Sequence, residues 1–326
     1  MSHRKYTICA ILLAVLLAVP SCGGILLNWE IGGTDAVSCR SETVTDRELR
    51  LLTLHYKAEF EGYYRSLLGN SFWDTEVRDG VTYEAYVREY YVLAEAKALV
   101  VLNAMYRKDG DPLTRAEEAG IRAEAERIYA SMTTEERLYT EASFEDILSL
   151  KRACYTAGKM IDLLLEGRKI EVSDEQSRVA DIQVIRMGSL EEAEAVYARL
   201  QAGENYLSLA EECSLDDVIS YSVRKDTLAD PLNQAVFSMS AGTTSGILEA
   251  AGYYYIIRLT SSYNKLLSMN NKANQLAEAR YEGWKTVYDA YTAENPVYVN
   301  TGCDRIIDLR NDTFTTSVNL FPASAS

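Results

Sequence analysis

The chain has 326 residues, a formal net charge of −15 and two histidines, His3 and His55. An acidic chain repels phosphate, which argues against nucleic acid as a partner, and two histidines leave almost no material for metal sites or His-based catalysis. Hydrophobic residues make up 48% and prolines number 5, which points to a mostly helical globular chain, long enough for more than one domain.

The first residues carry His3-Arg4-Lys5 and then an apolar run, Ile8–Val19, the pattern of a signal-peptide core and too short for a comfortable membrane span. The run closes on Ala18-Val19-Pro20-Ser21-Cys22, which resembles a bacterial lipobox, with an aliphatic residue three before the Cys and a small one just before it. Pro20 departs from that pattern. Residues 1–22 are therefore expected to be an export leader, with Cys22 as the lipidated position and acyl chains as the membrane anchor, each buried CH₂ contributing about 0.8 kcal/mol. The other reading is cleavage after Ser21 and release. No cofactor is implied. Cys39, Cys154, Cys213 and Cys303 lack CxxC or zinc spacing; a Cys39–Cys303 disulfide and buried free thiols both stay open.

Residues 23–42 are Gly-rich and weakly patterned, suiting a tether. From 43 the pattern changes. Thr45-Asp46-Arg47-Glu48 reads as a capping box opening a long helix with Leu49, Leu52, His55, Tyr56, Phe60, Tyr63 and Leu67 at helical spacing. A turn at Ser71–Asp74 and Asp79-Gly80 precedes a second helix, Thr82–Tyr106, apolar nearly all round at its far end. Asp109-Gly110-Asp111-Pro112 stops it; Thr114–Met132 and Ser143–Glu166 are further helices. Next come an alternating strand, Val179–Ile185, a helical run, Glu191–Cys213, and a second strand, Tyr253–Leu259. Asn271–Tyr291 is again helical, and a loose tail is expected from Thr313.

The segments RVADIQVI, LEEAEAVYARLQAGENYLSLAEECSLDD and NQAVFSMSAGTTSGILEAAGYYYIIRL resemble the parvulin family of peptidyl-prolyl isomerases, over about a quarter of the chain. The helices before them, with the fragment FWDTEVRDGVTYEAYV, are similar to the chaperone region of PrsA/SurA-type foldases. This resemblance implies an α+β protein: a mainly helical chaperone region at 43–172 and a parvulin-like α/β module at 173–262. A C-terminal helix at 263–312 would pack back on the first helices, followed by a tail at 313–326. It also implies unfolded or newly secreted polypeptides as partners, a place outside the cytoplasm, and leaves monomer and homodimer both open.

An isomerase lowers the barrier of about 18–20 kcal/mol around an X–Pro amide. It needs an apolar pocket for the ring and polar groups favouring the twisted amide. At the places where the family carries two histidines this chain has Asp181 and Tyr255. Its Asp or Cys position holds Asp216, and the Met and Phe of the proline pocket are Leu228 and Leu232. These five residues are the candidate site. If Asp181 and Asp216 face one another they repel, and Tyr255 has a hydrogen bond to offer Asp181. The resemblance thus implies a folding factor whose isomerase residues are mostly replaced; the alternative is an active isomerase with an altered site.

Overall fold

In the computed structural model the described residues are 27–29, 35–69 and 71–321. The leader and Cys22 lie outside them. The architecture is α+β, with long helices and small sheets. Contacts divide the chain into two compact units, 1–168 with 277–326, and 169–276. The second unit is wider on both sides than the 173–262 read from the sequence.

In the first unit, strands β1 (Leu27–Trp29), β10 (Tyr298–Asn300), β2 (Asp35–Cys39) and β3 (Glu42–Thr45) form one sheet in that order. The tether reading of 23–42 is therefore corrected for its described part, 27–29 and 35–42. Ala36, Val37 and Cys39 are buried, and β2 pairs antiparallel with both β3 and β10. These strands are too short to give a long alternation, and their partner strand β10 lies far along the chain.

Helix α1 (Asp46–Leu68) starts where the capping box places it: the Thr45 side chain accepts from the Glu48 N–H, and the Glu48 carboxylate accepts from the Thr45 N–H. This satisfies two of the backbone donors a helix leaves open. Its first half is buried all round, Leu49, Leu51, Leu52, Leu54 and Tyr56 included. Its second half is not: Tyr63 and Leu67, expected on the buried stripe, are exposed. A short hairpin, β4 (Glu76–Arg78) with β5 (Val81–Thr82), follows.

The second predicted helix comes in three pieces, α2 (Tyr83–Val87), a π-helical stretch at Arg88–Leu93, and α3 (Ala94–Asp109). Thr114, Thr133 and Ser143 then cap α4 (Arg115–Ser131), α5 (Thr134–Thr140) and α6 (Phe144–Leu164), each with an acidic partner three residues on. Helix α6 packs against α3 and α4. Lys57 is buried against Glu61, with Trp73 Nε1 donating to the same carboxylate and Lys57 Nζ donating to the Leu309 carbonyl.

The first unit also takes the later part of the chain. Helix α10 (Lys265–Glu294) contributes to it from Ala277 on, and there Arg280 pairs with Asp162. Short helix α11 (Cys303–Ile306) follows β10. The loose-tail reading from Thr313 is corrected for its described part. Val318 and Leu320 are buried, Lys151 Nζ donates to the Leu320 carbonyl, and Glu136 accepts from the Thr316 hydroxyl and the Ser317 N–H. This strap carries no periodic pattern, because irregular chain pays for its burial one hydrogen bond at a time. All four described cysteines are free thiols.

The second unit is built on β6 (Val179–Met187), β7 (Ser220–Arg224), β8 (Leu248–Ala250) and β9 (Tyr253–Ser261), in the antiparallel order β7-β6-β9-β8. Side chains alternate between the two faces of a strand. Ile185, Met187 and Ile256 point to one face. There Ala193 and Val196 of α7 (Leu190–Gln201) meet Leu209 and Ala210 of α8 (Tyr206–Cys213). The single helical run expected at Glu191–Cys213 is broken at Gly203, and Asn205 caps the second piece. Tyr206 is buried and its hydroxyl donates to the carbonyls of Gln183 and Ile256, pinning α8 to both central strands.

Candidate functional site

The opposite face of that sheet carries Ala180, Ile182 and Val184 of β6, Val223 of β7 and Ile257 and Leu259 of β9. Helix α9 (Asp230–Ser238) covers it through Leu232 and Val236. Pro231 in the first turn of α9 fits there, since the first N–H groups of a helix have no partner to lose. Leu228, just ahead of α9, and Tyr255 pack against this cluster while keeping part of their surface. Leu228, Leu232 and Tyr255 thus share one apolar face.

Asp216 joins them from its loop. Ser214 Oγ accepts from the backbone N–H groups of Arg186 and Asp216, and the Leu215 N–H donates to the Arg186 carbonyl. The loop is therefore tied to the end of β6. Arg186 Nη2 lies 2.6 Å from Asp216 Oδ1, and the guanidinium sits 4.7 Å from the centre of the Tyr253 ring. Arg186 is the ladder partner of Tyr255, so the two side chains share the apolar face. Asp216 and Arg186 hold each other, and the Arg186 pKa is raised by the hydrogen bond to Asp216. Tyr221 completes the group: burial first, then the Asp216 charge and Tyr255, raise its pKa. Its ring and that of Tyr253 stay partly open to solvent.

Asp181 stands apart. It pairs with Ser222 and Ser261, whereas Tyr255 pairs with Arg186. The stretch of β6 between positions 181 and 186 spans about 17 Å. The Asp181 carboxylate accepts from Ser222 Oγ at 2.5 Å and from Asn264 Nδ2 at 3.1 Å, and the Thr260 hydroxyl donates to its carbonyl. Asp181 therefore fastens β6 to β7 and to the turn ahead of α10. The expected pairs are corrected accordingly: Asp216 meets Arg186 instead of Asp181, and Asp181 takes its hydrogen bonds from Ser222 and Asn264 instead of Tyr255. The physical reason is register, which depends on the partner strand and on an irregularity between Asp181 and Ile182.

Sequence reasoning missed Arg186, Tyr221 and Tyr253. Alternation held the signal for the first, because Arg186 is two steps beyond Val184 and so faces the same way. Cys213 has Arg199 Nη1 at 3.8 Å from its sulfur; burial and the Glu212 charge still raise its pKa, so it is no activated nucleophile. Among the described residues no group of three or more His, Cys, Asp or Glu side chains is placed to hold a metal ion. Among them, too, no helix is long and apolar enough to cross a membrane.

No protein-family model matches the chain, and no curated protein does. Solved structures do resemble it. Its structural neighbours include PrsA foldases and SurA-like chaperones. Foldase protein PrsA from Streptococcus pneumoniae is 17% identical, with 68% of this chain and 92% of that one covered and a TM-score of 0.31. The peptidylprolyl isomerase PrsA from Bacillus cereus is 17% identical, covers 68% and 90%, and has a TM-score of 0.34. A SurA-like chaperone from Campylobacter jejuni is 13% identical, covers 56% and 92%, and has a TM-score of 0.25. At these values the likeness carries no residue's role from those proteins to this chain.

Proposed function

We propose that this chain is an extracytoplasmic protein-folding factor that binds unfolded, newly exported polypeptides. Its parvulin-like module, in this reading, offers a second contact surface. The observation that carries this reading is the uncovered apolar and aromatic surface at the end of α1. Tyr63 is 64% exposed, Leu67 66% and Leu68 43%. Tyr64, stacked on Phe72 and tilted against Tyr83, continues it at half-burial. A folded chain that leaves large apolar side chains together on one helix end has a surface suited to apolar segments of another chain, and tyrosine adds contact area while its hydroxyl stays wet. The sequence resemblance to PrsA/SurA-type foldases agrees with it. The leader pattern adds the proposal that Cys22 holds the protein to the membrane by a lipid, facing outside the cytoplasm.

The test is aggregation of an unfolded client followed by light scattering with and without the protein. Slower aggregation at equimolar to several-fold excess supports the reading, and no effect at several-fold excess overturns it.

A second reading is favoured by one observation: Leu228, Leu232 and Tyr255 share a face onto which Asp216 reaches through Arg186. In this reading the module is an isomerase with an altered site, in which Asp181 is not one of the groups around the peptide. A protease-coupled assay on a proline peptide decides it. A rate that rises with protein concentration and falls in Leu228→Ala supports activity, and a rate equal to buffer rejects it.

A further inference from the structure

Arg186 is a cation beside the apolar face, paired with Asp216. Its guanidinium is flat and carries five N–H donors in a fixed fork. Asp216 Oδ1 occupies one amino group at 2.6 Å. The Tyr253 ring supports the plane at 4.7 Å. Among the described residues its Nε has no hydrogen-bond partner although the atom is buried. The side chain as a whole is 28% exposed and that of Asp216 34%, so a ligand lying on the face can reach the pair.

An X–Pro amide presents three things to such a surface: an apolar ring, a carbonyl oxygen on either side, and no N–H at the proline. Leu228, partly exposed over the buried Leu232, offers the ring an apolar edge, Tyr255 packs on the same cluster, and Tyr253 and Tyr221 stand by Arg186 and Asp216. A held guanidinium beside that edge is a donor for the carbonyl. It stays charged at every working pH, and it is already oriented before the peptide arrives, which lowers the ordering cost of the contact. Asp216 also sets the class of ligand. With the cation already neutralised, a second anion brought to the pair is repelled by the carboxylate, whereas a neutral carbonyl is not.

We propose that Arg186 grips the backbone carbonyl of a proline-containing peptide laid over the Leu228, Leu232 and Tyr255 face, with Asp216 as its positioning residue. The preferred peptides carry neutral rather than acidic residues before the proline. This rests on the reading of the module as a proline-peptide surface.

The experiment titrates the full chain with three blocked peptides, acetyl-Ala-Ala-Pro-Phe-amide, its Pro→Ala counterpart, and acetyl-Ala-Glu-Pro-Phe-amide, followed by NMR shifts. The wild type is expected to bind the first more tightly than the other two. Arg186→Met weakens that binding about tenfold or more, the loss of a hydrogen bond to a charged donor. Arg186→Lys, which keeps the charge and the fold, recovers part of it. Leu228→Ala weakens binding as well. If Leu228→Ala weakens binding and neither Arg186 variant does, the surface reading stands and the role given to Arg186 falls. If the wild type binds the proline peptide no better than its alanine counterpart, both fall. Tighter binding of the glutamate peptide overturns the neutral-ligand assignment.

Discussion

Glu95→Gln is expected to stabilise the helical unit in alkaline solution and to do little in acid. Glu95 lies in the first turn of α3, straight after the π-helical stretch, and is 1% exposed. Among the described residues neither of its carboxylate oxygens has a hydrogen-bond partner, and nor does the buried Tyr56 hydroxyl. Burial alone pushes the Glu95 pKa up from 4.5 to about 7, because a lone carboxylate in an apolar interior is poorly solvated. The folded chain therefore holds this proton more tightly than the unfolded one. The stability it contributes is fully present below about pH 4.5 and is lost as pH rises to about 7. The gap between 4.5 and about 7, at about 1.36 kcal/mol per pH unit, puts the loss on the order of 3 kcal/mol. Glutamine keeps the shape and cannot ionise, so the variant escapes that loss. Urea unfolding, followed by tryptophan fluorescence, Trp73 and Trp284 both being buried, measures it. The variant's midpoint should exceed that of the wild type at pH 8 and match it at pH 4.5. An equal difference at both pH values would refute the reasoning, since it would mean that the carboxylate ionises inside the fold as readily as in the unfolded chain.

His55 works in the other direction. Burial lowers its pKa to about 4, so its contribution is lost as pH falls from about 6.5 to about 4, and His55→Gln should flatten the acid limb of the stability curve. Removing Glu61 leaves Lys57 buried without its carboxylate, and Glu61→Ala should cost about 3–5 kcal/mol in denaturant unfolding. Truncating the chain after Phe314 strips Val318 and Leu320 from the first unit. Each is 3% exposed or less, and the loss of the two should lower stability by about 3–6 kcal/mol. Tyr63→Ser with Leu67→Ser touches only exposed side chains, so thermal unfolding should not move while protection of an unfolded client should fall.

Much of the helical unit could be read from the sequence because its signals are local. Thr45 with Glu48, Thr114 with Glu117 and Ser143 with Asp146 each close a capping box within four residues, and the structure starts a helix at all three. What could not be read depends on partners distant in sequence. Strand β2 gains its place from β10, more than 250 residues on. The strap at Thr316–Leu320 is fixed by hydrogen bonds to the Glu136 carboxylate and from Lys151, which leave no spacing to recognise. The candidate site divides along the same line. Leu228, Leu232 and Tyr255 are named by the parvulin resemblance, and the structure places them against one apolar cluster. The separation of Asp181 from them follows from register, which one strand alone does not encode. Arg186 was within reach of the alternation argument, but a charged residue at a strand end reads as solvated until its partners Asp216 and Tyr253 are in place.

The central claim is that this chain receives unfolded polypeptides on its exposed apolar surface. The most direct measurement is light scattering of a chemically unfolded client diluted into buffer with the wild-type chain or the Tyr63→Ser, Leu67→Ser variant at several-fold molar excess. The account predicts slowed aggregation with the wild type and a clear loss of that effect with the variant at unchanged stability. Aggregation at the buffer rate in the presence of the wild type would contradict it.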